Sequence, residues 1–256
     1  MGERLVFTSN VAEMVRQNGG FEPDNEGYYT IRAGTFGVPN SAGIVYELSE
    51  ELIKTLERSS PFMMRVTAGK LFSENGHPER LPGMTDKEYF TRLARIVPDR
   101  VCGFIKDVIV EFNKNKTEAV VYLKVKPFGE LKHVMEDAFK DDNINASFSV
   151  RTICRQSGYV RTVIVLVTWD FVTINGVNKS DKVSSVGLTV GNEELLSIDL
   201  ANQEEVGEFK KTLSDLRAIH DKEVTEGLES SVNMDFVDTV EKFFSECQGE
   251  NCIYRW

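Results

Sequence analysis

The stretch INASFSVRTICRQSGYVRTVIVLVTWDFVTI, residues 144–174, contains the two clearest strand patterns of the chain. Residues 144–155 and 159–174 are rich in β-branched and aromatic side chains, and the polar turn QSG joins them. The run VIVLVTWDFV in the second strand is apolar on both faces, which is typical of a strand buried on both sides. This pair of strands is therefore predicted to lie in the β-rich centre of the fold.

The chain is predicted to contain three regions, and this pair of strands lies in the second. Residues 1–25 are polar and contain two adjacent glycines, so they are predicted to form a flexible leader. Residues 26–180 are predicted to form a β-rich core, with strands at 27–48, 61–72, 101–112 and 118–126 and helices at 49–59, 85–97 and 129–140. Residues 181–256 are predicted to be a helical part of the same domain, with amphipathic helices at 202–224 and 232–247. This order of elements predicts an α+β domain whose strands can close into a barrel.

Composition excludes several functional classes. The chain has 256 residues, of which 41% are hydrophobic, and this suits one large domain. The formal net charge of −10 argues against nucleic-acid binding, and no apolar run is long enough to span a membrane. Four cysteines without a CxxC pair and three scattered histidines predict no metal site, and no cofactor motif is found. The amino-terminal residues do not form a secretion signal, so the thiols are expected to be reduced in a cytosolic compartment.

Asp170 is the one charged residue within the apolar run VIVLVTWDFV. Burying an ionised carboxylate in such a strand carries a desolvation penalty of roughly several kcal/mol, unless the carboxylate is paired with a cation or a hydrogen-bond donor. A histidine N–H is one suitable donor. Alternatively, the strand ends there and Asp170 meets water.

Ser147, Ser149 and Arg151 alternate with Phe148 and Val150, so the three polar residues share one face of the preceding strand. Such a face is either a small-residue surface in a packed core or the support of a nucleophilic serine, which needs a histidine as its base.

His77, in the loop SENGHPER (73–80), is a candidate for that base. A triad of His77, Ser149 and Asp170 requires three separate elements to converge, because triads are recognised by geometry rather than chain order. Spacing alone does not establish that they do.

Three segments resemble the prohead maturation proteases of tailed phages, a family similar to the herpesvirus assemblin proteases. LFSENGHPE (71–79) resembles the family's segment around its catalytic histidine, with Ser73 in place of the usual glycine. FSVRT (148–152) resembles the nucleophile strand in a register that favours Ser149 over Ser147, and LVTWDFV (166–172) places Asp170 at the acidic position.

The resemblance implies an assemblin-like, β-barrel-like antiparallel core surrounded by helices. It also implies a serine endopeptidase that cleaves scaffold, internal core and capsid proteins, and itself, within the prohead in the host cytoplasm, and that forms a homo-oligomer. His77, Ser149 and Asp170 would be catalytic, and Val150 and Arg151, or the turn CRQSG, would support the oxyanion. The sequence Ser49-Glu50-Glu51 fits a self-cleavage site, or alternatively the acidic start of a helix.

Two other functional classes stay open. An inactive capsid or scaffold protein with a protease-like fold fits the acidic, helix-flanked composition equally well. A metal-dependent hydrolase using His77 and Glu79 would need further ligands, which the sequence does not supply nearby.

Overall fold

The computed structural model describes residues 3–13, 22–40, 43–141, 144, 146–173, 193–227, 232 and 234–247. Nine strands and six α-helices are found in this part of the chain. The strands are β1 (Arg4–Glu13), β2 (Tyr29–Phe36), β3 (Val45–Glu47), β4 (Phe72–Glu74), β5 (Val101–Phe112), β6 (Ala119–Pro127), β7 (Ala146–Ser157), β8 (Val160–Thr173) and β9 (Glu193–Asp199). The helices are α1 (Glu50–Thr55), α2 (Pro61–Thr67), α3 (Asp86–Ala94), α4 (Lys132–Lys140), α5 (Gln203–Thr225) and α6 (Met234–Cys247).

The strands form two sheets. The larger sheet has the order β3-β8-β7-β1-β9, in which only the short β3–β8 pairing is parallel. The smaller sheet has the order β2-β6-β5-β4 and is antiparallel throughout. The α+β class predicted from the sequence is confirmed.

The larger sheet buries both of its faces. Phe148, Trp169 and Phe171 lie on one face, in a core shared with the smaller sheet and with α1, α2 and α4. Ile153 and Val165 lie on the other face, in a second core shared with α3, α5 and α6. The described strands therefore form stacked open sheets, and the predicted closure into a barrel is wrong. A barrel has one interior, whereas the two apolar faces of β8 require cover on both sides.

Three local predictions also differ from the structure. Arg4–Glu13, placed by the sequence in a flexible leader, is hydrogen-bonded between β7 and β9, because Leu5, Val6 and Phe7 supply buried side chains to both cores. The segment predicted as one strand over 61–72 begins as helix α2. The Ser60 side chain caps that helix and Pro61 occupies its first turn, where a missing N–H costs nothing. Residues 193–199, in the part predicted as helical, form strand β9.

Other predicted elements are confirmed. The capping box of Thr85 and Glu88 starts α3, and the strands β5 to β8 lie where their patterns indicate. Ser49 caps α1 and Glu50 and Glu51 lie in its first turn, with Leu52 buried behind them, so the acidic helix start is confirmed for this segment. None of the described helices is long and apolar enough to cross a membrane. The division into a core at 26–180 and a separate part at 181–256 stays a prediction.

One hydrogen bond joins the two sheets beside the segment that carries His77. The Thr168 hydroxyl on β8 donates to the Phe72 carbonyl on β4 at 2.6 Å, and Thr168 is fully buried. This bond fixes the start of β4, and hence the residues that follow it, against the larger sheet.

We expect Thr168→Val to lower the free energy of unfolding by about 1–3 kcal/mol, because the isosteric change leaves a buried carbonyl without its donor. Urea denaturation followed by circular dichroism measures the loss. Thr162→Val is the control on the same strand. Its hydroxyl bonds Glu47 at an exposed position, so the change should stay within about 0.5 kcal/mol. Equal losses in the two variants would contradict the assigned role of Thr168.

Candidate active site

The three residues singled out from the sequence lie on three adjacent elements. Ser149 on β7 is directly opposite Asp170 on β8, so the two side chains emerge on the same face of the sheet. His77 lies in the loop that follows β4. This loop is tied to β8 because the Gly76 N–H donates to the Phe171 carbonyl at 2.8 Å.

His77 and Asp170 are in contact. The distance from His77 Nδ1 to Asp170 Oδ2 is 3.4 Å, and the Asp170 side chain is fully buried whereas that of His77 is 15% exposed. With Nδ1 directed at the carboxylate, Nε2 is the ring nitrogen left to exchange a proton with another group.

Neither strand serine is hydrogen-bonded to His77. The hydroxyls of Ser147 and Ser149 are both buried and have no hydrogen-bond partner among the described residues. Ser149 lies opposite Asp170, whereas Ser147 lies opposite Val172, two pairs farther along the strands. The structure thus brings Asp170 and His77 together and places both serines nearby, with the bond from serine to histidine unformed.

Arg151 is the principal partner of Asp170. Its Nε donates to Oδ2 at 2.9 Å and its Nη2 to Oδ1 at 2.5 Å, so the carboxylate is held by a bidentate pair. Nη1 donates to the carbonyls of Leu93 and Arg95, at 3.2 and 3.0 Å, where α3 ends. The guanidinium is 1% exposed, so these bonds replace water almost entirely.

A second buried carboxylate lies behind Arg151. Arg151 Nη2 also donates to Glu74 Oε2 at 3.0 Å, and Glu74 is fully buried. Arg92 of α3 donates to both Glu74 oxygens, at 3.1 and 2.6 Å, and the Val97 N–H donates to Oε1 at 2.5 Å. Two arginines and two carboxylates therefore alternate, and their formal charges cancel.

These contacts keep Asp170 ionised. Burial alone would raise the pKa of Asp170, but the Arg151 guanidinium and the hydrogen bond from His77 outweigh burial and hold that pKa below its ordinary value. The carboxylate is thus available as an acceptor for a histidine N–H across the neutral pH range.

The described cysteines are poorly suited to nucleophilic roles. Cys154 lies with Phe148 and Val150 in the core between the sheets, away from Ser149, and burial raises its pKa to about 11. Burial, with the nearby Asp170 charge, raises the pKa of Cys102 to about 12. A thiol of this kind is protonated and unreactive at neutral pH. Among the described residues, no group of three or more His, Cys, Asp or Glu side chains is arranged to hold a metal ion.

The pairing of β7 argues against the oxyanion role predicted for Val150 and Arg151. β7 is an interior strand: Val150 is paired with both Asn10 and Trp169, so the backbone N–H groups of this segment are used within the sheet. The Arg151 side chain is occupied by carboxylates and carbonyls. The turn after β7 begins at Gly158, nine residues from Ser149 and about 30 Å along the strand at 3.3 Å per residue, too far to reach the same substrate carbonyl.

Sequence reasoning missed the ion pair of Asp170 with Arg151 and the second carboxylate, Glu74, behind that arginine. Arg151 shares the face of Ser149 and could have been paired with Asp170 by strand alternation alone. Glu74 was visible only as part of a motif, and Arg92 gave no signal, because their pairing depends on how α3 packs against β4.

Two comparisons by sequence identify the family of the chain. The chain matches the family model described as the Peptidase S80 family over residues 7–240. It is 31% identical over 204 residues to the capsid maturation protease of Pseudomonas phage phiKZ, an alignment covering 76% of this chain and 75% of the relative. The structure of the bacteriophage T4 capsid assembly protease aligns with 12% identity and a TM-score of 0.41, covering 67% of this chain and 99% of that one.

We expect Asp170→Asn to destabilise the protein by about 3–5 kcal/mol at pH 7, because it leaves the buried Arg151 without its bidentate counter-charge. The folded pKa of Asp170 lies below the unfolded value of about 4, so its stabilising effect is present above that pH and is lost as the pH falls through the folded pKa. The difference between wild type and variant should therefore shrink in acid. Urea denaturation at pH 7 and at about pH 3 measures both effects.

Asp215→Asn is the matched control for this prediction. The pKa of Asp215 is also lowered, by its hydrogen bond from Lys87, but the pair lies on the surface. Its loss should have a much smaller effect than that of Asp170, since exposed ion pairs are largely screened. A difference between wild type and Asp170→Asn that does not change with pH would contradict the assigned ionisation.

Proposed function

The chain belongs to the peptidase S80 family, and on that premise we propose that it is a serine endopeptidase of phage capsid maturation. The observation that supports the serine mechanism is the contact of His77 with Asp170, whose cross-strand neighbour is Ser149. The proposed catalytic triad is formed by these three residues.

In the proposed mechanism, Ser149 Oγ attacks the scissile carbonyl of a peptide and His77 Nε2 accepts the hydroxyl proton. Asp170 accepts a hydrogen bond from His77 Nδ1, which fixes the tautomer, and it stabilises the imidazolium that forms. The imidazolium then protonates the leaving amine, and a water molecule hydrolyses the acyl-enzyme by the reverse sequence of proton transfers.

Two features distinguish the described arrangement from a reacting one. The Ser149 hydroxyl is buried and not bonded to His77, whereas attack requires a hydrogen bond to the base and access for the substrate. Substrate binding therefore has to expose the β7 face at Ser149. Of the three residues only His77 has measurable exposure, so a substrate is expected to approach from the side of His77.

The proposed substrates are the scaffold, internal core and capsid proteins of the phage, cleaved within the prohead, together with the protease itself. The support is the relative in phage phiKZ, which is a capsid maturation protease. Self-cleavage after Glu51 would require α1 to unfold, since Ser49 caps this helix through the Leu52 N–H. The proposed self-cleavage is therefore expected elsewhere in the chain. A homo-oligomer is proposed on the same family basis.

The competing proposal, an inactive structural protein of the capsid, has less support. Such a protein has no need for a histidine held against a fully buried aspartate, which costs desolvation energy without improving packing.

We expect Ser149→Ala to reduce proteolysis by about 10⁴-fold or more, because the nucleophile is lost. The measurement is the intact mass of the concentrated protein, alone and with a co-expressed capsid precursor, over time. Ser147→Ala is the matched control, since it removes a hydroxyl of equal burial from the same strand face, and it should retain activity.

Four outcomes separate the alternatives. Loss of activity only in Ser149→Ala supports the proposal, and loss only in Ser147→Ala moves the nucleophile by two residues. An intact precursor with wild-type protein at high concentration favours the structural protein. Equal trimming by wild type and Ser149→Ala would contradict the proposed nucleophile.

A further inference from the structure

Glu74 is buried as deeply as the proposed catalytic aspartate, yet the proposed mechanism does not use it. Its two carboxylate oxygens accept four hydrogen bonds: two from Arg92, one from Arg151 and one from the Val97 N–H. Burying a carboxylate is unfavourable unless it is fully paired, and hydrophobic residues of similar volume often fill such a space at least as stably. Stability alone therefore does not account for a carboxylate at this position.

Arg151 connects Glu74 to the proposed catalytic pair. The same nitrogen, Nη2, donates to Glu74 Oε2 at 3.0 Å and to Asp170 Oδ1 at 2.5 Å. Arg151 Nε and His77 Nδ1 both approach Asp170 Oδ2, at 2.9 and 3.4 Å. Arg151 and His77 therefore compete for one oxygen atom, and Glu74 draws Arg151 away from that competition.

We propose that Glu74 is a positioning residue that, by partly neutralising Arg151, sets how strongly Asp170 supports protonated His77. This inference rests on the proposed serine endopeptidase function. The charged and titratable groups that face Asp170 are Arg151 from β7, His77 from the loop after β4 and Cys102 from β5. Glu74 and Arg92 lie behind Arg151 and act on Asp170 through it.

Removing the charge of Glu74 and removing the charge of Arg151 should shift the pH at which activity falls in acid, and the two shifts should have opposite directions. Without Glu74, the positive charge of Arg151 acts more strongly on His77 and Asp170, and the His77 imidazolium is less stable. The fall of activity on the acid side of the pH profile, its acid limb, therefore moves to lower pH. Without Arg151, Asp170 is less compensated and the acid limb moves to higher pH. Each variant removes one charge that is screened by the groups between it and His77, so shifts of about 0.5–1 pH unit are expected.

The experiment uses a fluorophosphonate probe, which does not depend on knowing the natural substrate. Ser149 Oγ forms a bond to phosphorus, fluoride leaves, and the hydroxyl proton passes to His77 and then to water. The second-order rate of labelling, followed by intact mass between about pH 4 and 9, therefore reports the fraction of neutral base.

We expect Glu74→Gln to lower the midpoint of the acid limb and Arg151→Met to raise it, each by about 0.5–1 pH unit. Arg151→Lys keeps the charge without the bidentate fork, so its midpoint should stay near wild type while the labelling rate falls. Arg92→Met removes the outermost cation at a partly exposed position, so it should fold even if the fully buried variants do not, and it should raise the midpoint.

Arg161→Met is the matched control. Arg161 is also 1% exposed on β8, where it bonds the Tyr46 hydroxyl at 2.7 Å, but it lies nine residues from Asp170, about 30 Å along the strand. It should lose stability without moving the midpoint. Midpoints that stay unchanged, or that move in the same direction in Glu74→Gln and Arg92→Met, would overturn the inference. Labelling that persists in Ser149→Ala would instead overturn the proposed function.

Discussion

The buried guanidinium of Arg151 is the constraint on which the rest of the candidate site depends. It is held between two carboxylates from different sheets, Asp170 of β8 and Glu74 of β4, and by carbonyls at the end of α3. A charge in this position is tolerated only when all its donors are satisfied. The packing of α3, the course of β4 and the register of β7 against β8 must therefore be correct together, and the His77 loop inherits its position from them.

The two-sided burial of the larger sheet explains where this site can be. Sheet faces covered by the smaller sheet on one side and by helices on the other leave no open face for polar chemistry. The polar residues Ser149 and Asp170 occur toward one end of the β7–β8 hairpin, where β4 passes close to β8 and its following loop reaches the sheet. The site is thus at a corner of the fold, where three elements end or change direction. Function at element ends on a rigid scaffold is a general arrangement.

Local sequence patterns predicted individual strands and the faces of their side chains, whereas the contacts between distant segments could not be predicted from them. Alternation and β-branching identified β7 and β8 and placed Ser149 and Arg151 on one face, and the oddity of Asp170 in an apolar strand indicated a buried partner. The partner named from sequence was His77, whereas the shorter contacts are those of Arg151. β1 was missed because only Leu5, Val6 and Phe7 of its ten residues read as a strand, and its pairing with β7 and β9 comes from distant sequence. The stacked sheets replaced the expected barrel for the same reason: the cover for the second face of β8 comes from helices far along the chain.

The central place of β1 has a consequence for the order in which the protein is made. Arg4 pairs with Gln156 on one side and with Asp199 on the other, so the strand that flanks the serine strand waits for residues about 150 and 195 positions later. Contacts of such high sequence separation form late and slowly during folding. Ser149 and Asp170 are synthesised together with β7 and β8 and after β1, whereas the edge strand β9 and the helices α5 and α6 come later in the chain. The larger sheet is therefore completed only once residues 193–199 have been made, after all three residues of the proposed triad.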